Sequence, residues 1–99
     1  MSNHFVYVDA DLKELIPGFF EHRYQEISRI TEALAQNDFE TIEKIGHSIK
    51  GVGGGYGFAY ISELGLQIEE TAKEAKEEEL HELINQYKSY LDNVTVIYK

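Results

Sequence analysis

Phe39-Glu40-Thr41-Ile42-Glu43-Lys44-Ile45-Gly46-His47-Ser48-Ile49-Lys50-Gly51-Val52-Gly53-Gly54-Gly55-Tyr56-Gly57 is the stretch from which the rest of the chain can be read. At about 100° per residue, Phe39, Ile42, Ile45, Ile49 and Val52 fall in one arc of a helix, the arc that must be buried. His47 points roughly the other way. Lys50 and Gly51 stand one turn beyond it, Gly54 two turns beyond, and Lys44 one turn before. The spacing predicts a solvent-facing histidine between two lysines, with the surface beyond it stripped of side chains.

Five of the eight glycines lie between Gly51 and Gly57. If the helix continues through Gly53, Gly54 and Gly55, each costs about 0.5–1 kcal/mol relative to alanine. Glycine kept at that cost means that something comes close. On the Gly53 side it would be a neighbouring helix, and on the Gly51 and Gly54 side an outside partner. The other reading ends the helix near Val52 and makes the glycines a loop. Gly57 suits a left-handed helix cap.

Working outward, Asn37-Asp38 is a break, with Asp38 placed to cap the helix that follows. Before it, Pro17 suits the first turn of a helix in which Phe20, Tyr24, Ile27, Ile30 or Thr31, and Leu34 recur at three- and four-residue spacing. Residues 9–16 predict a short first helix with Asp9 as its N-cap. After Gly57 a helix runs from about Phe58 to Lys76 on Ile61, Leu64, Gly65, Ile68 and Ala72, with the small residues at 65, 72 and 75 permitting close approach. The last helix follows Lys76-Glu77-Glu78-Glu79 and uses Leu80, Leu83, Ile84, Tyr87, Leu91, Val94 and Tyr98. Phe5–Val8 and Val94–Tyr98 are β-branched, but one pair at the termini is too little to predict a sheet. Tyr24, Tyr56, Tyr60 and Tyr87 sit at core spacing and read as filling. The fold class is all-α, an antiparallel up-down four-helix bundle with a short extra N-terminal helix, in one domain over 1–99.

Composition narrows the function. Eighteen acidic against nine basic residues give a net charge of −9, which excludes a nucleic-acid binder and a polybasic membrane attachment. Without cysteine there is no disulfide scaffold, thiolate metal site or cysteine nucleophile. Ninety-nine residues leave no room for a kinase or nucleotide-binding catalytic domain beside this one. No run approaches a membrane span, and Met1-Ser2-Asn3-His4-Phe5-Val6 lacks the regions of a signal peptide, so a cytoplasmic monomer is expected. His4, His22 and His81 stand alone and read as surface residues. Glu43 with His47 has helical ligand spacing, but two ligands do not make a metal site. Lys50 precedes the glycines and no strand leads in, which argues against a phosphate loop.

An exposed imidazole is nucleophilic near neutral pH and can accept a phosphoryl group, which a lysine one turn away can meet as a charge-assisted donor. His47-Ser48-Ile49-Lys50-Gly51, the small residues Gly53 to Gly55, and Gly57 six places after Gly51 resemble the signature of the histidine-containing phosphotransfer (HPt) domain. Ala33 to Phe39 is similar to the turn before that family's phosphorylated helix, and Leu64-x-x-x-Ile68-Glu69 to its following helix. The resemblance covers about residues 10–95. Val52 departs from it, where a small or hydroxylated residue is common.

The resemblance implies a four-helix bundle that accepts a phosphoryl group on His47 and relays it to or from a receiver-domain aspartate, or takes it from a histidine kinase, in bacterial-type two-component signalling. It implies Lys50 beside the phosphoryl group, Glu69 against the other ring nitrogen, and Lys44, Gly51 and Gly54 on the partner-facing side. The protein would be a carrier and not an enzyme, with no cofactor of its own and magnesium supplied by the receiver. An adaptor that binds a receiver or kinase without being phosphorylated, and an unrelated helical interaction module, are the alternatives.

Overall fold

The computed structural model describes residues 4–99; Met1-Ser2-Asn3, half of the stretch read for a signal peptide, lie outside the described residues. Four helices carry the structure: α1 (Ile16–Ala35), α2 (Phe39–Gly55), α3 (Ala59–Lys73) and α4 (Glu77–Asn93). Two strands stand at the ends of the chain, β1 (His4–Val8) and β2 (Val94–Tyr98). Between β1 and α1, Ala10–Leu15 forms a 3-10 helix, with Asp9 Oδ1 accepting from the Asp11 N–H at 2.8 Å.

The first three helices stop in the same way. Asn37, Gly57 and Ala75 adopt positive φ (55°, 84° and 53°). The next residue in each case turns its N–H back: Asp38 to the Ala33 carbonyl, Phe58 to Gly53 and Lys76 to Thr71, at 2.8, 2.8 and 3.3 Å. This is the Schellman arrangement, which satisfies carbonyls left open at a helix end. Asp38 then starts α2, its carboxylate accepting from the Thr41 N–H at 3.2 Å and from the Thr41 hydroxyl at 2.6 Å. The helix expected to reach Lys76 ends at Lys73. Ala75 is not on its packing face; it occupies the left-handed turn position, and Lys76 caps α4.

Ile30, Ile42, Ile49, Phe58, Ile61, Leu64, Ile68, Leu80 and Tyr87 form the solvent-free centre of the core. The stripe on α1 differs from the expected one. Phe19, Arg23, Glu26, Ile27, Ile30, Ala33 and Leu34 face inward, while Tyr24 lies on the surface and bonds Asp92 at 2.6 Å. The shift is possible because Arg23 and Glu26 neutralise each other inside. The Arg23 guanidinium bonds both Glu26 carboxylate oxygens and lies 4.7 Å from the Phe19 ring centre, and the Tyr87 hydroxyl stands 3.5 Å from Glu26. Burial pushes the Glu26 carboxyl up, against the pull of Arg23.

The all-α expectation is also corrected. β1 and β2 pair in parallel, with register from His4↔Val94 to Val8↔Tyr98. Val94 is extended (φ −71°, ψ 137°), so α4 gives way directly to a strand and neither Val94 nor Tyr98 extends the last helix. Val6, Val8, Val94, Val96 and Tyr98 lie against the core; the β-branched residues thus cover it as a strand pair. His4 is half-buried, its ring 5.4 Å from that of Tyr60 and edge-on to Tyr90 at 5.1 Å.

α2 runs through Gly55, so Gly53 to Gly55 are helical. It meets α3 backbone to backbone. A Cβ on Gly46 would sit 2.7 Å from the Glu69 nitrogen and 2.9 Å from the Gly65 oxygen. One on Gly65 would strike the Lys50 nitrogen, and one on Gly53 would come within 2.7 Å of the Ser62 nitrogen. Any side chain at these three positions would separate the helices.

Candidate functional site

His47 stands on α2 next to the Gly46 contact, with 68% of its side chain exposed. Glu69 lies across the seam on α3 and is 12% exposed. Its Oε2 is 3.1 Å from His47 Nδ1, and its Oε1 accepts from Lys50 Nζ at 3.2 Å. One carboxylate therefore bridges the two α2 residues that the sequence had singled out. The Gly46 and Gly65 contacts make this reach possible, since the backbone of Glu69 lies directly against that of Gly46.

Burial works against the charge on Glu69. The Lys50 ammonium and the His47 ring outweigh it and hold the carboxyl below its usual range. A carboxylate can only accept, so a neutral His47 must carry its proton on Nδ1 to bond it. Nε2 then keeps its lone pair, and no hydrogen bond engages it among the described residues. The nucleophilic nitrogen is the one turned away from the carboxylate.

Lys44 does not join this cluster. It is three-quarters exposed and pairs with Glu40 at 3.3 Å, one turn back on the same helix. Gly51 and Gly54 lie on the open side of α2. A Cβ on Gly51 would meet nothing within 4 Å, and one on Gly54 only the Ser62 hydroxyl, at 3.9 Å. Among the described residues, no group of three or more His, Asp or Glu side chains is placed to hold a metal ion.

Two features of the site escaped the sequence reading. Gly46 falls in the buried arc of α2, but a single glycine outside the Gly51–Gly57 run gave no reason to single it out. Ser62 donates its hydroxyl to the Lys50 carbonyl at 2.8 Å, so α3 grips α2 beside its side-chain-free turns. An isolated serine on a helix carries no signal of that kind.

A family model for the Hpt domain matches residues 14–95. No curated protein and no solved structure matches this chain. Among the described residues no helix is long and apolar enough to cross a membrane.

Proposed function

The chain belongs to the Hpt domain family, the carriers of phosphorelay signalling that work with receiver and kinase partners, and on that premise we propose that it accepts a phosphoryl group on His47 Nε2 and relays it to or from a receiver aspartate. The observation that carries this reading is the Glu69 bridge between His47 and Lys50. In the forward step the Nε2 lone pair attacks the phosphorus of an aspartyl phosphate on the receiver. The P–N bond forms as the P–O bond to the aspartate breaks, and the aspartate leaves as carboxylate. Nδ1–H stays on Glu69, whose negative charge steadies the cationic ring of the phosphoimidazole.

Lys50 is one turn from the ring and takes the negative charge of the incoming phosphoryl group. Lys44, exposed and tied only to Glu40, steers an acidic partner. Gly51 and Gly54 leave room for that partner. The receiver brings its own magnesium, and this protein contributes positioning and not turnover. The links from Gln36 to Asp38, Tyr56 to Phe58 and Glu74 to Lys76 are too short to return along the bundle, which supports an antiparallel up-down course.

The test is incubation with a radiolabelled phospho-receiver. Label should move to the parent protein, and His47→Gln should keep its helical signal and take none. Label retained by His47→Gln, or lost from His22→Gln or His81→Gln instead, overturns the assignment. Binding without transfer would make the protein an adaptor, and neither binding nor transfer an unrelated helical module. Lys50→Ala should slow transfer more than Lys44→Ala, and only the Lys44 effect should fade with added salt.

A further inference from the structure

Phe5 and Tyr7 are 58% and 61% exposed, the two most exposed large apolar side chains among the described residues. They lie on the outer face of the terminal strand pair, opposite Thr95 and Ile97 of β2. Val6 and Val8 on the alternate face pack against the core, so the pattern is not that of a sheet with one wet side. Such a sheet alternates apolar and polar residues. This one is apolar on both faces. Parallel pairs are ordinarily covered on both sides, and an isolated two-stranded pair is marginal in water.

The charge distribution says what can cover it. The chain carries 18 acidic residues and a net charge of −9, yet β1 and β2 hold no carboxylate between them. The nearest cation, Lys99, rests its ammonium 6.0 Å from the Tyr7 ring centre. Elsewhere, two copies of so acidic a molecule meet carboxylate against carboxylate. At this face they meet aromatic rings.

We propose that the outer face of β1 and β2 is a self-association surface, on which a second copy of this chain packs its own Phe5, Tyr7 and Ile97 face to face across a two-fold axis. Packing sheet on sheet keeps the two bundles on opposite sides. Two strands of five residues give a small contact, well below the roughly 800 Å² per partner of a stable interface. The dimer is therefore weak and depends on concentration. The net negative charge opposes it, so salt strengthens it.

Sedimentation of the full chain from micromolar to near-millimolar concentration is the test. The mean mass should climb towards that of a dimer, and further in added salt. Phe5→Lys combined with Tyr7→Lys should weaken association about tenfold or more, while Leu15→Lys and Leu66→Lys, at exposed apolar positions outside the strands, should leave it unchanged. Should the lysine pair lower the melting temperature, Phe5→Thr with Tyr7→Thr keeps strand propensity and must weaken association alike. A protein that stays monomeric throughout overturns the proposal and leaves the face to another partner or to none. Association that survives the strand variants, is lost in the Leu15 or Leu66 variants, or weakens with salt also overturns it.

Discussion

Glu69 and Glu26 each sit between a cation and a ring-bearing side chain. Glu69 takes Lys50 on one oxygen and His47 on the other; Glu26 takes Arg23 on both, with the Tyr87 hydroxyl beside it. The donors are alike in kind, but the carboxyls are driven in opposite directions. Around Glu26 both partners are buried, desolvation dominates, and the carboxyl rises. Around Glu69 the same penalty is outweighed, because Lys50 and His47 reach water and stay well solvated as cations, and the carboxyl falls. A carboxylate sealed with its partner joins two helices. One whose partner faces out holds a reactive ring in place.

The largest effect should come from the sealed cluster. Arg23→Met leaves Glu26 buried without its partner and should cost about 3–5 kcal/mol. Combining it with Glu26→Leu removes the stranded charge and should recover most of that loss. Urea melts of the two variants decide this, and an Arg23→Met protein as stable as the parent would end the comparison. Well below its melting temperature, Arg23→Met should still accept label, because nothing in the His47 cluster touches it.

Next come the glycines of the α2–α3 seam. Gly46→Ala and Gly53→Leu push a side chain into backbone and should each cost about 1–3 kcal/mol. Gly46→Ala should also lower the rate of label acceptance, since it parts His47 from Glu69. On the open side of the same helix the signs reverse. Gly51→Ala should raise stability by about 0.4–1 kcal/mol, because its Cβ meets nothing and the unfolded chain loses freedom. Gly54→Leu should fold well and transfer poorly. A Gly54→Leu protein that transfers at the parental rate would remove the partner-clearance reading.

Periodicity explains why this division was partly legible. The angular position of His47, Gly51 and Gly54 against Phe39, Ile42, Ile45 and Ile49 separates open from buried sides with no knowledge of the neighbour. Asp38, Gly57 and Pro17 act within a turn of themselves, so their roles could be read locally. The α1 stripe could not. Arg23 and Glu26 look like surface residues until each is known to neutralise the other, and counting aromatics shifted the stripe to Tyr24. Ala75 carries no sign that it will take a left-handed conformation. The strand pair joins His4–Val8 to Val94–Tyr98 at opposite ends of the sequence, where no local pattern reports pairing.

The smallest effect is the most specific one. Removing the charge of Glu69 with Glu69→Gln keeps the volume and loses contacts to two partly solvated groups, so at neutral pH it should cost only about 0.2–1 kcal/mol. Its pH dependence carries the information. A carboxyl held below its ordinary value of 4.5 contributes stability that is fully present above that value and is lost as pH falls through the folded one. The gap between parent and Glu69→Gln should therefore be constant near neutrality and close on acidification. Glu26, raised by burial, works the other way: the fold favours its protonated form, and its contribution is lost as pH rises above 4.5. Relative to Glu26→Gln, the parent should lose ground over that rise. Melts of the two glutamine variants across this range should give slopes of opposite sign. Slopes of the same sign would mean that the two carboxylates are not set apart by the solvation of their partners.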